Sequence, residues 1–571
     1  MKTTQILLVA AVSLAQAWAG EKLASDLARS AGTVEVLVQY KSTPANTETR
    51  VRQRGGTVKA TFSRSRAVAA SVNASELAGL AADPDVAYVS PNRTVSARLD
   101  YAVPTTGADV AAAYGLTGAG IGVAIVDSGI DNHWDVKQRI VYAESFVPGE
   151  SGTNANATKD HFGHGTLVAG IVGGSGWSST GSKYTKTFRG LAPQVNLISL
   201  RALAANGSGT DAAVIAAIER AIELKSTFNI RVLNLSLGRP VFESFTKDPL
   251  CQAVEAAWRA GIVVVVAAGN DGRNNSAGTL GYGTINAPGN DPMAITVGAM
   301  KTSGTPYRAD DRIASYSSKG PTAIDHVVKP DLVAPGNRIV SLASSLKSSL
   351  SNSYPTNNVN YTEYQLTGNK NASAVYYRLS GTSMAAPMVS AAAALMLQKD
   401  PSLTPDQVKA RLMKTASKAF PTSSDAIDPV SGETFHSQYD VLTVGAGYLD
   451  IAAALNNTDV ARGRAFSPKA EMNPVTGEAK LVHGSSVIWG DSVIWGDSVI
   501  WGDSVIWADS VIWGTGVIGG TSVIWGTSSL KGSSVIWGDS VIWGDSVIWG
   551  DLSKTSALGS TWLSIAMNGE N

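Results

Sequence analysis

The stretch Gly381-Thr382-Ser383-Met384-Ala385-Ala386-Pro387, with the apolar run Met388–Gln398 behind it, decides how the chain is organised. The run is apolar on nearly all sides, which predicts a buried helix. Pro387 is tolerated only near a helix start, so Ser383 is expected at the helix N-terminus. There a serine faces unpaired backbone N–H groups and the positive end of the helix dipole. Both favour an anion, as acyl transfer by a nucleophilic serine requires.

Serine and threonine are also ordinary helix caps, so this stretch alone does not indicate a nucleophile. A nucleophilic serine needs a base, a carboxylate that orients the base, and a donor for the oxyanion. The rest of the sequence has to supply these three groups.

Composition and charge limit the possible functions. The chain has 571 residues, enough for two or three domains. Its formal net charge is zero, which gives no electrostatic basis for binding nucleic acid or an anionic membrane surface. Cys251 is the only cysteine, so no intrachain disulfide is possible. We expect Cys251 to be a small buried apolar residue in a helix.

Residues 1–19 have the pattern of a secretory signal peptide. Lys2 supplies the charge, Ile6 to Ala15 an apolar stretch too short to span a bilayer, and Ala17-Trp18-Ala19 a cleavage site. No later segment reaches about 18 consecutive apolar residues. The sequence therefore predicts a secreted protein, extracellular or associated with the cell surface, without a membrane anchor.

Residues 20–100 are predicted to form a small α+β unit. The pattern gives strands at 33–40, 67–72 and 86–89, and a polar helix-like stretch that ends near Gln53. Asn73-Ala74-Ser75-Glu76 has the character of a capping box and predicts a short helix after it.

Residues 101–456 have a different texture, with apolar strands that alternate with helices. Strands are predicted at 121–126, 196–200, 231–235 and 262–267, with a helix at 211–223. Continuous apolar strands separated by helices indicate an α/β fold with a mostly parallel sheet and helices on both faces. Active sites in such sheets lie at the carboxyl ends of the strands.

Three polar residues follow predicted strands or precede a helix in this region. Asp127 lies in Val126-Asp127-Ser128-Gly129-Ile130, His164 in Gly163-His164-Gly165-Thr166, and Asn270 in Ala268-Gly269-Asn270. Each has an ordinary alternative, since aspartate and asparagine are common turn residues and a histidine on a buried helix is often structural. His161, three residues before His164, is a competing base.

The combination is more specific than its parts, because Asp, His, Asn and Ser follow one another in the chain order of subtilisin. Residues 101–456 resemble the subtilisin-like serine proteases, or subtilases. The resemblance rests on the segments around Asp127, His164, Asn270 and Ser383, and on Arg189-Gly190-Leu191-Ala192-Pro193, Asn234-Leu235-Ser236-Leu237-Gly238 and Gly445-Ala446-Gly447-Tyr448. Leu167 departs from the pattern, since many subtilases carry a second histidine there.

The resemblance implies a catalytic triad of Asp127, His164 and Ser383, with Asn270 and the Ser383 backbone N–H as oxyanion donors. The motif match favours His164 over His161 as the base. This chemistry needs no cofactor. Many subtilases bind structural calcium, but no dense acidic loop marks a site in this sequence.

The resemblance also implies where a peptide substrate binds. Gly207-Ser208-Gly209 and Ser236-Leu237-Gly238 would be edge strands that sandwich an extended peptide. Ala267-Ala268-Gly269 would line the first specificity pocket, and their small size suggests a roomy apolar pocket for large uncharged side chains.

Residues 20–100 resemble a subtilase propeptide, which acts as an intramolecular chaperone and inhibitor. Self-cleavage would then occur within residues 95–105. The alternative is a permanent small domain.

Beyond the peptidase region, residues 457–485 are predicted to be a linker and 552–571 a C-terminal extension. Between them, Ser486 to Asp551 comprise eleven hexads, nine of which keep Ser-Val-Ile-Trp. The hexads favour β-structure, either a parallel solenoid or an antiparallel meander. We expect a chain that ends near Asn457 to retain peptidase activity, and the repeats to bind a surface, a matrix or one another.

Three functions compete at this point. The first is a secreted serine endopeptidase, made as a self-processing precursor, that acts on proteins or peptides. The second is a surface-binding or matrix-binding protein whose protease domain serves only self-processing. The third is an inactive pseudo-enzyme, against which the complete set of four site residues argues.

Overall fold

The structure is a computed structural model that describes residues 22–24, 27, 30–41, 47–62, 66–91, 97–98, 102–276, 278–367, 370–428, 432–472, 479–482, 512–513, 516–519, 524–525, 528–531 and 570. The chain divides into two compact units, Met1–Ser96 and Ala97–Asn571. The predicted signal peptide lies outside the described residues. Among the helices of the described part, none is both long and apolar enough to cross a bilayer.

The first unit is built on a four-stranded antiparallel sheet, in the order Thr57–Phe62, Ala67–Asn73, Thr33–Tyr40, Val86–Pro91. Along the strand Thr33–Tyr40, Val36, Val38 and Tyr40 are buried while Glu35 and Gln39 are exposed, so one face of the sheet meets the core. Its helical elements are Thr47–Gln53, Ala74–Glu76 and Leu77–Ala81. The three predicted strands are confirmed, and the sequence prediction missed Thr57–Phe62.

The predicted cap at Asn73 is present in this unit. Asn73 Oδ1 accepts a hydrogen bond from the Ser75 N–H at 3.1 Å, and a 3₁₀ turn precedes the short helix Leu77–Ala81. Asn73 therefore satisfies a backbone donor that the first turn would otherwise leave unpaired.

The second unit contains an eight-stranded sheet. In spatial order its strands are Arg312–Ile313, Ile295–Lys301, Val263–Ala267, Ile230–Leu235, Gly122–Asp127, Asn196–Arg201 and Ile140–Ser145, with Leu332–Pro335 also paired to Ile295–Lys301. All the pairings are parallel except that of Arg312–Ile313. Every residue of the central strands Gly122–Asp127 and Val263–Ala267 is buried. The predicted α/β class and parallel sheet are confirmed for this unit.

Helices pack on this sheet in pairs. Asp211–Glu223 packs against Pro249–Arg259, and His164–Gly173 packs against Thr382–Lys399. Cys251 is buried in the helix Pro249–Arg259, as predicted. The remaining helical elements of the described part are Ala102–Thr106, Ala108–Ala113, Trp177–Ser179, Lys225–Phe228, Arg308–Asp310, Ser349–Ser353, Pro355–Asn357, Tyr361–Glu363, Pro405–Thr415, Val441–Val444 and Ile451–Asn456.

Smaller sheets complete the unit. Ala372–Leu379 pairs antiparallel with Ile339–Leu342 and Asn358–Asn360, and Ser423–Ile427 pairs antiparallel with Thr434–Gln438. Ala97–Arg98 pairs in parallel with Lys186–Thr187. Lys469–Met472 and Ala479–Val482 pair antiparallel after the helix Ile451–Asn456 and form a hairpin.

The segment Asp459–Ala470, which the sequence predicts to be part of a linker that begins at 457, packs against earlier residues of the second unit. Ser467 Oγ bonds to Asp331 Oδ1 at 2.5 Å, and Lys409 Nζ donates to Ser467 Oγ at 2.9 Å. The Val328 N–H donates to the Pro468 carbonyl and the Ala470 N–H to the His326 carbonyl, both at 2.8 Å. These partners lie more than 50 residues away in sequence, so local composition could not reveal them.

Four short strands are described within the hexads. Ile512–Trp513 pairs in parallel with Ile524–Trp525, and Gly516–Gly519 pairs in parallel with Ser528–Lys531. Paired residues are 12 positions apart in both cases, as in Ile512 with Ile524, which equals two hexads. Ser529 also pairs with Lys480 of the preceding hairpin.

Candidate active site

Asp127 and His164 meet where a central strand ends and a buried helix begins. Asp127 is the last residue of the strand Gly122–Asp127, and His164 is the first residue of the helix His164–Gly173. His164 Nδ1 lies 2.8 Å from Asp127 Oδ1 and 3.0 Å from Oδ2. A Cβ at Gly165 would stand 2.2 Å from the Gly129 carbonyl oxygen, so only glycine allows this close approach.

A second buried carboxylate, Asp160, organises the same corner. Its Oδ1 accepts hydrogen bonds from Ser128 Oγ at 2.8 Å and the Gly163 N–H at 2.7 Å. Its Oδ2 accepts from the Thr166 N–H at 2.8 Å and the Thr166 hydroxyl at 2.7 Å. Burial raises the pKa of Asp160 to about 6, although these hydrogen bonds oppose the shift. Asp160 therefore ties the loop after Asp127 to the turn that presents His164.

The pKa of His164 reflects opposing effects. Burial of the imidazole lowers its pKa, but the charge of Asp127, its hydrogen bond and the charge of Asp160 together raise the pKa above the ordinary value. Because Asp127 binds Nδ1, the other ring nitrogen, Nε2, is left for a proton exchanged in the cleft.

Ser383 is the second residue of the helix Thr382–Lys399, at the predicted N-terminal position. Pro387 lies inside this helix and has no N–H to donate to the Ser383 carbonyl four residues before it. The Ser236 hydroxyl donates to that carbonyl instead, at 2.8 Å, and Ser383 Oγ donates to the Ser236 carbonyl at 3.1 Å. The reciprocal pair fixes the first turn of the helix beside the loop after the strand Ile230–Leu235.

Asn270 is held against the residue before Ser383. Its Oδ1 accepts hydrogen bonds from the Thr382 N–H at 2.9 Å and the Thr382 hydroxyl at 3.1 Å. With the oxygen engaged, the amide Nδ2 is the group that can donate to a ligand. Gly381 has φ +146°, and a Cβ there would stand 3.3 Å from Asn270 Nδ2, so glycine suits this position.

These groups line one cleft of about 550 Å³. His164, Asn270 and Ser383 all contribute to its lining, and Asp127 lies behind His164. His161, the competing base, is not among the lining residues of this cleft, and its carbonyl accepts from the Ser349 N–H at 3.0 Å.

Most of the predicted substrate-binding residues line the same cleft, namely Gly207, Gly209, Ser236, Leu237, Gly238 and Gly269. Ala268 does not line it, whereas its neighbour Ala267 does, because successive residues of an extended chain face opposite sides. The segments at 207–209 and 236–238 are loops that follow the strands Asn196–Arg201 and Ile230–Leu235, and Gly209 forms one antiparallel bridge with Leu203. Their pairing with an extended peptide stays a prediction.

Polar side chains also line the cleft. Asp271 and Asn286 line it, and Asn286 Nδ2 donates to Asp271 Oδ2 at 3.2 Å. Burial raises the pKa of Asp271 above its ordinary value. The cleft therefore contains a carboxyl group, and the apolar first specificity pocket beside Ala267 and Gly269 stays a prediction.

The sequence did not reveal several contacts that shape the site. Asp160, Thr382 and the Ser236 hydroxyl all act through contacts with residues distant in sequence. Of these three, only Asp160 could have been suspected from sequence, because it lies four residues before His164. Leu167, the departure from the subtilase pattern, is fully buried, and its carbonyl accepts from Ser341 Oγ at 2.9 Å.

The described residues contain no group of three or more His, Cys, Asp or Glu side chains placed to hold a metal ion. The binding of structural calcium, which the resemblance to subtilases makes possible, stays untested.

Comparison with known proteins agrees with this arrangement. The profile of the subtilase family matches residues 118–432. The chain is 37% identical over 375 residues to serine protease AprX of Bacillus subtilis, which covers 64% of this chain and 78% of that protein. It is 36% identical over 318 residues to subtilisin DY of Bacillus licheniformis, a match that covers 55% of this chain and 90% of that protein. It is 33% identical over 370 residues to subtilisin E of Bacillus subtilis, a match that covers 64% of this chain and 79% of that protein. The chain belongs to the subtilase family and is a subtilisin-like serine endopeptidase.

Proposed function

We propose that the protein is a secreted endopeptidase that cleaves peptide bonds through Asp127, His164 and Ser383 and is made as a self-processing precursor. The observation that carries this proposal is the 2.8 Å contact between Asp127 and His164 beside a cleft that also contains Ser383 and Asn270. His164 removes the Ser383 proton, and Ser383 Oγ attacks the scissile carbonyl. His164 then protonates the leaving amine. Asp127 holds the imidazole of His164 in the required tautomer and stabilises the imidazolium.

The Ser383 hydroxyl has to turn before it can react. In the resting arrangement it donates to the Ser236 carbonyl at 3.1 Å. Rotation about the Cα–Cβ bond carries the hydroxyl away from that carbonyl and towards His164. Catalytic hydrogen bonds of this kind often form only when substrate is bound.

The oxyanion that forms on the substrate carbonyl is stabilised by Asn270 Nδ2 and the Ser383 N–H. Thr382 holds the oxygen of the Asn270 amide, so the donating end is oriented before substrate arrives. The chemistry uses only side chains and backbone groups, so we propose that catalysis itself needs no cofactor.

Replacement of Asn270 by alanine should lower kcat roughly 10²–10³-fold, the range found for the oxyanion asparagine of subtilisin. KM should change little, because the donor acts on charge that develops in the transition state. Steady-state kinetics on a chromogenic peptide measures both constants. An unchanged kcat would remove Asn270 from the catalytic site.

The pH dependence of kcat/KM should follow the ionisation of His164. The base must be neutral, so activity falls as pH falls through the pKa of His164. Because that pKa is raised, the fall should be centred above 6.5, the ordinary imidazole value. A flat profile between pH 5 and 8 would contradict the assignment. The variant His161→Gln should keep this acid limb, and its loss in that variant would make His161 the base.

The substrates are proteins or peptides bound in extended form along the loops at 207–209 and 236–238. Peptides bound beside such segments gain affinity from main-chain hydrogen bonds and specificity from side-chain pockets. Asp271 in the cleft lining leads us to propose that a basic or hydrogen-bonding side chain is accepted as well as a large uncharged one.

Residues 20–100 would act as a propeptide that assists folding and then inhibits. Their compact sheet, with its own core of Val36, Val38, Val68 and Val89, supports a unit that forms early. The parallel sheet of the peptidase unit depends on contacts distant in sequence and is expected to fold slowly. Cleavage within residues 95–105 would release the mature enzyme, and the signal at 1–19 would direct export.

For the hexads we propose a parallel β-solenoid with two hexads in each turn. The 12-residue separation of the paired strands supports this arrangement over an antiparallel meander. A surface, a matrix or another copy of the repeat remains the proposed partner of this segment.

Hydrolysis of casein by the purified protein tests the proposed function. The rate should be measurable and should vanish after treatment with a serine-directed covalent inhibitor. Absence of hydrolysis by correctly processed protein would favour a protease domain that serves only self-processing, and absence of both hydrolysis and processing would favour the pseudo-enzyme. Hydrolysis that resists the inhibitor would exclude a serine nucleophile.

A further inference from the structure

Glu570 lies in a buried polar site of the second unit, and the described residues to which it bonds are more than 200 positions away in sequence. Its carboxylate accepts hydrogen bonds from Arg273 Nη2 at 2.9 Å, from the Ser315 N–H at 2.8 Å and from the Ser315 hydroxyl. Its backbone N–H donates to Asn337 Oδ1 at 2.9 Å, and its carbonyl accepts from Asn337 Nδ2 at 2.8 Å. We name Arg273, Ser315 and Asn337 the Glu570 socket.

The socket recognises two features of its occupant. Arg273 and the two Ser315 donors select a carboxylate, and hydrogen bonds to an ionised group are about twice as strong as neutral ones. Asn337 pairs with the N–H and carbonyl of the same residue, so it binds the backbone irrespective of the side chain. Glu570 and Asn337 are only 6% exposed, so these bonds are shielded from water.

The socket is held in shape by the peptidase unit. Arg273 Nε donates to Ser315 Oγ at 2.6 Å, and its Nη1 donates to Asp428 at 2.8 Å. The guanidinium also stands 4.7 Å from the ring centre of Phe435. Without Glu570, the buried Ser315 N–H would lose the acceptor it has here, which is a costly change in a protein interior.

The socket adjoins the loop that presents Ser383. Asn337 follows Gly336, whose carbonyl accepts from the Gly381 N–H at 2.9 Å and from the Tyr316 hydroxyl at 3.1 Å. Gly381 is two residues before Ser383. A residue bound to Ser315 and Asn337 therefore stabilises Tyr316 and Gly336, the residues that bond to each other and, through Gly336, to the loop before Ser383.

A second attachment lies on the other side of the repeats. The hairpin Lys469–Met472 and Ala479–Val482 begins directly after Ser467 and Pro468, which bond to the peptidase unit. The hexads from Ser486 to Asp551 thus lie in the chain between this hairpin and Glu570.

We propose that the Glu570 socket is a docking site for an acidic residue on an extended segment, and that Glu570 of the same chain is its occupant. The repeats then form a loop attached to the peptidase unit at both sides, and not a free extension beyond a linker. Docking of Glu570 stabilises the segment at Gly336, which bonds to Gly381 in the loop before Ser383. This inference stands apart from the proposed catalytic mechanism, because an inactive chain could make the same contact.

Hydrogen exchange in the full chain, read by mass spectrometry after covalent inhibition of the enzyme, tests the proposal. In Glu570→Ala, amide exchange at Ser315 should be at least about 10-fold faster, since its acceptor is gone. The thermal midpoint should fall by about 3 °C or more, because a buried ion pair has lost one partner. Asp545→Asn, which removes the same charge from the hexads, should change neither value. Equal exchange and equal midpoints in all three proteins would overturn the proposal.

Two further measurements test the chemistry and the source of the occupant. Glu570→Gln keeps the shape and removes the charge, so it should increase Ser315 exchange to a value between the wild type and Glu570→Ala. A wild-type value would show that the socket does not select a carboxylate. Protection of Ser315 should not change on dilution, because the occupant is in the same chain. Protection that is lost on dilution would assign the occupant to a second copy and overturn the same-chain assignment.

Discussion

Replacing Ser383 with alanine should reduce peptide hydrolysis about 10⁶-fold, the size of loss that subtilisin shows without its own nucleophilic serine. The methyl group cannot form the acyl-enzyme, and the oxyanion donors alone supply only residual catalysis. The same variant should remain uncut within residues 95–105, because the precursor is proposed to process itself. Turnover of a chromogenic peptide and the intact mass of the purified chain measure the two effects.

The control for this variant is Ser349→Ala. Ser349 begins a short helix, its hydroxyl donates to the His161 carbonyl at 3.4 Å, and it does not line the cleft. This protein should be processed and should hydrolyse the peptide at a rate close to that of the wild type. Normal processing of Ser383→Ala in a host without other proteases would disprove self-cleavage, and substantial turnover would disprove the nucleophile.

A chain that ends at Asn457 should be much less stable than one that ends at Met472. The shorter chain lacks Ser467, which bonds both Asp331 and Lys409, and these two charged side chains are almost fully buried. It also lacks Asp459, the partner of Lys414. Loss of hydrogen-bond partners at buried charges costs about 3 kcal/mol or more, so the thermal midpoint should fall by roughly 6–12 °C.

A lower midpoint would limit the expectation from sequence that a chain ending near Asn457 retains peptidase activity. Both truncated chains lack the hexads and Glu570, so the comparison isolates the contribution of residues 458–472. Thermal unfolding of the inhibited proteins measures it. Equal midpoints would show that Asp459–Ala470 adds nothing to the peptidase unit, and the linker would then begin at 457 as the sequence suggested.

The parts of the fold that the sequence predicted are those with strong local patterns. The helix Asp211–Glu223 has the bounds expected, because it is amphipathic and Thr210 caps it by accepting from the Ala213 N–H. Strands such as Gly122–Asp127 and Val263–Ala267 are fully buried, so they appear in the sequence as unbroken apolar runs. Asp127 and Asn270 were identified as site candidates because they follow such runs.

Several strands that the sequence prediction missed have weaker patterns, although the buried strand Ile295–Lys301 was missed as well. Thr57–Phe62 in the first unit and Ile140–Ser145 in the second carry polar residues, and most residues of Ile140–Ser145 are only partly buried. Leu332–Pro335 is short and ends in proline. Such segments become strands because a neighbouring strand pairs with them, and that neighbour is distant in sequence.

The same limit applies to the site and the segment beyond it. The bond between Ser236 and Ser383 joins residues 147 positions apart, and that between Ser467 and Asp331 joins residues 136 apart. Ala267 and Ala268 are chemically equal in sequence, and only the course of the chain decides which one lines the cleft. Contacts of this kind depend on tertiary packing, which no local pattern encodes.

Covalent labelling by a fluorophosphonate tests the central claim most directly. We predict one modified residue, Ser383, identified by peptide mass spectrometry, with loss of casein hydrolysis in proportion to labelling. His164→Ala, which removes the base that activates Ser383, should label far more slowly. Labelling at another serine with the same loss of activity, or full activity after Ser383 is completely labelled, would contradict the account.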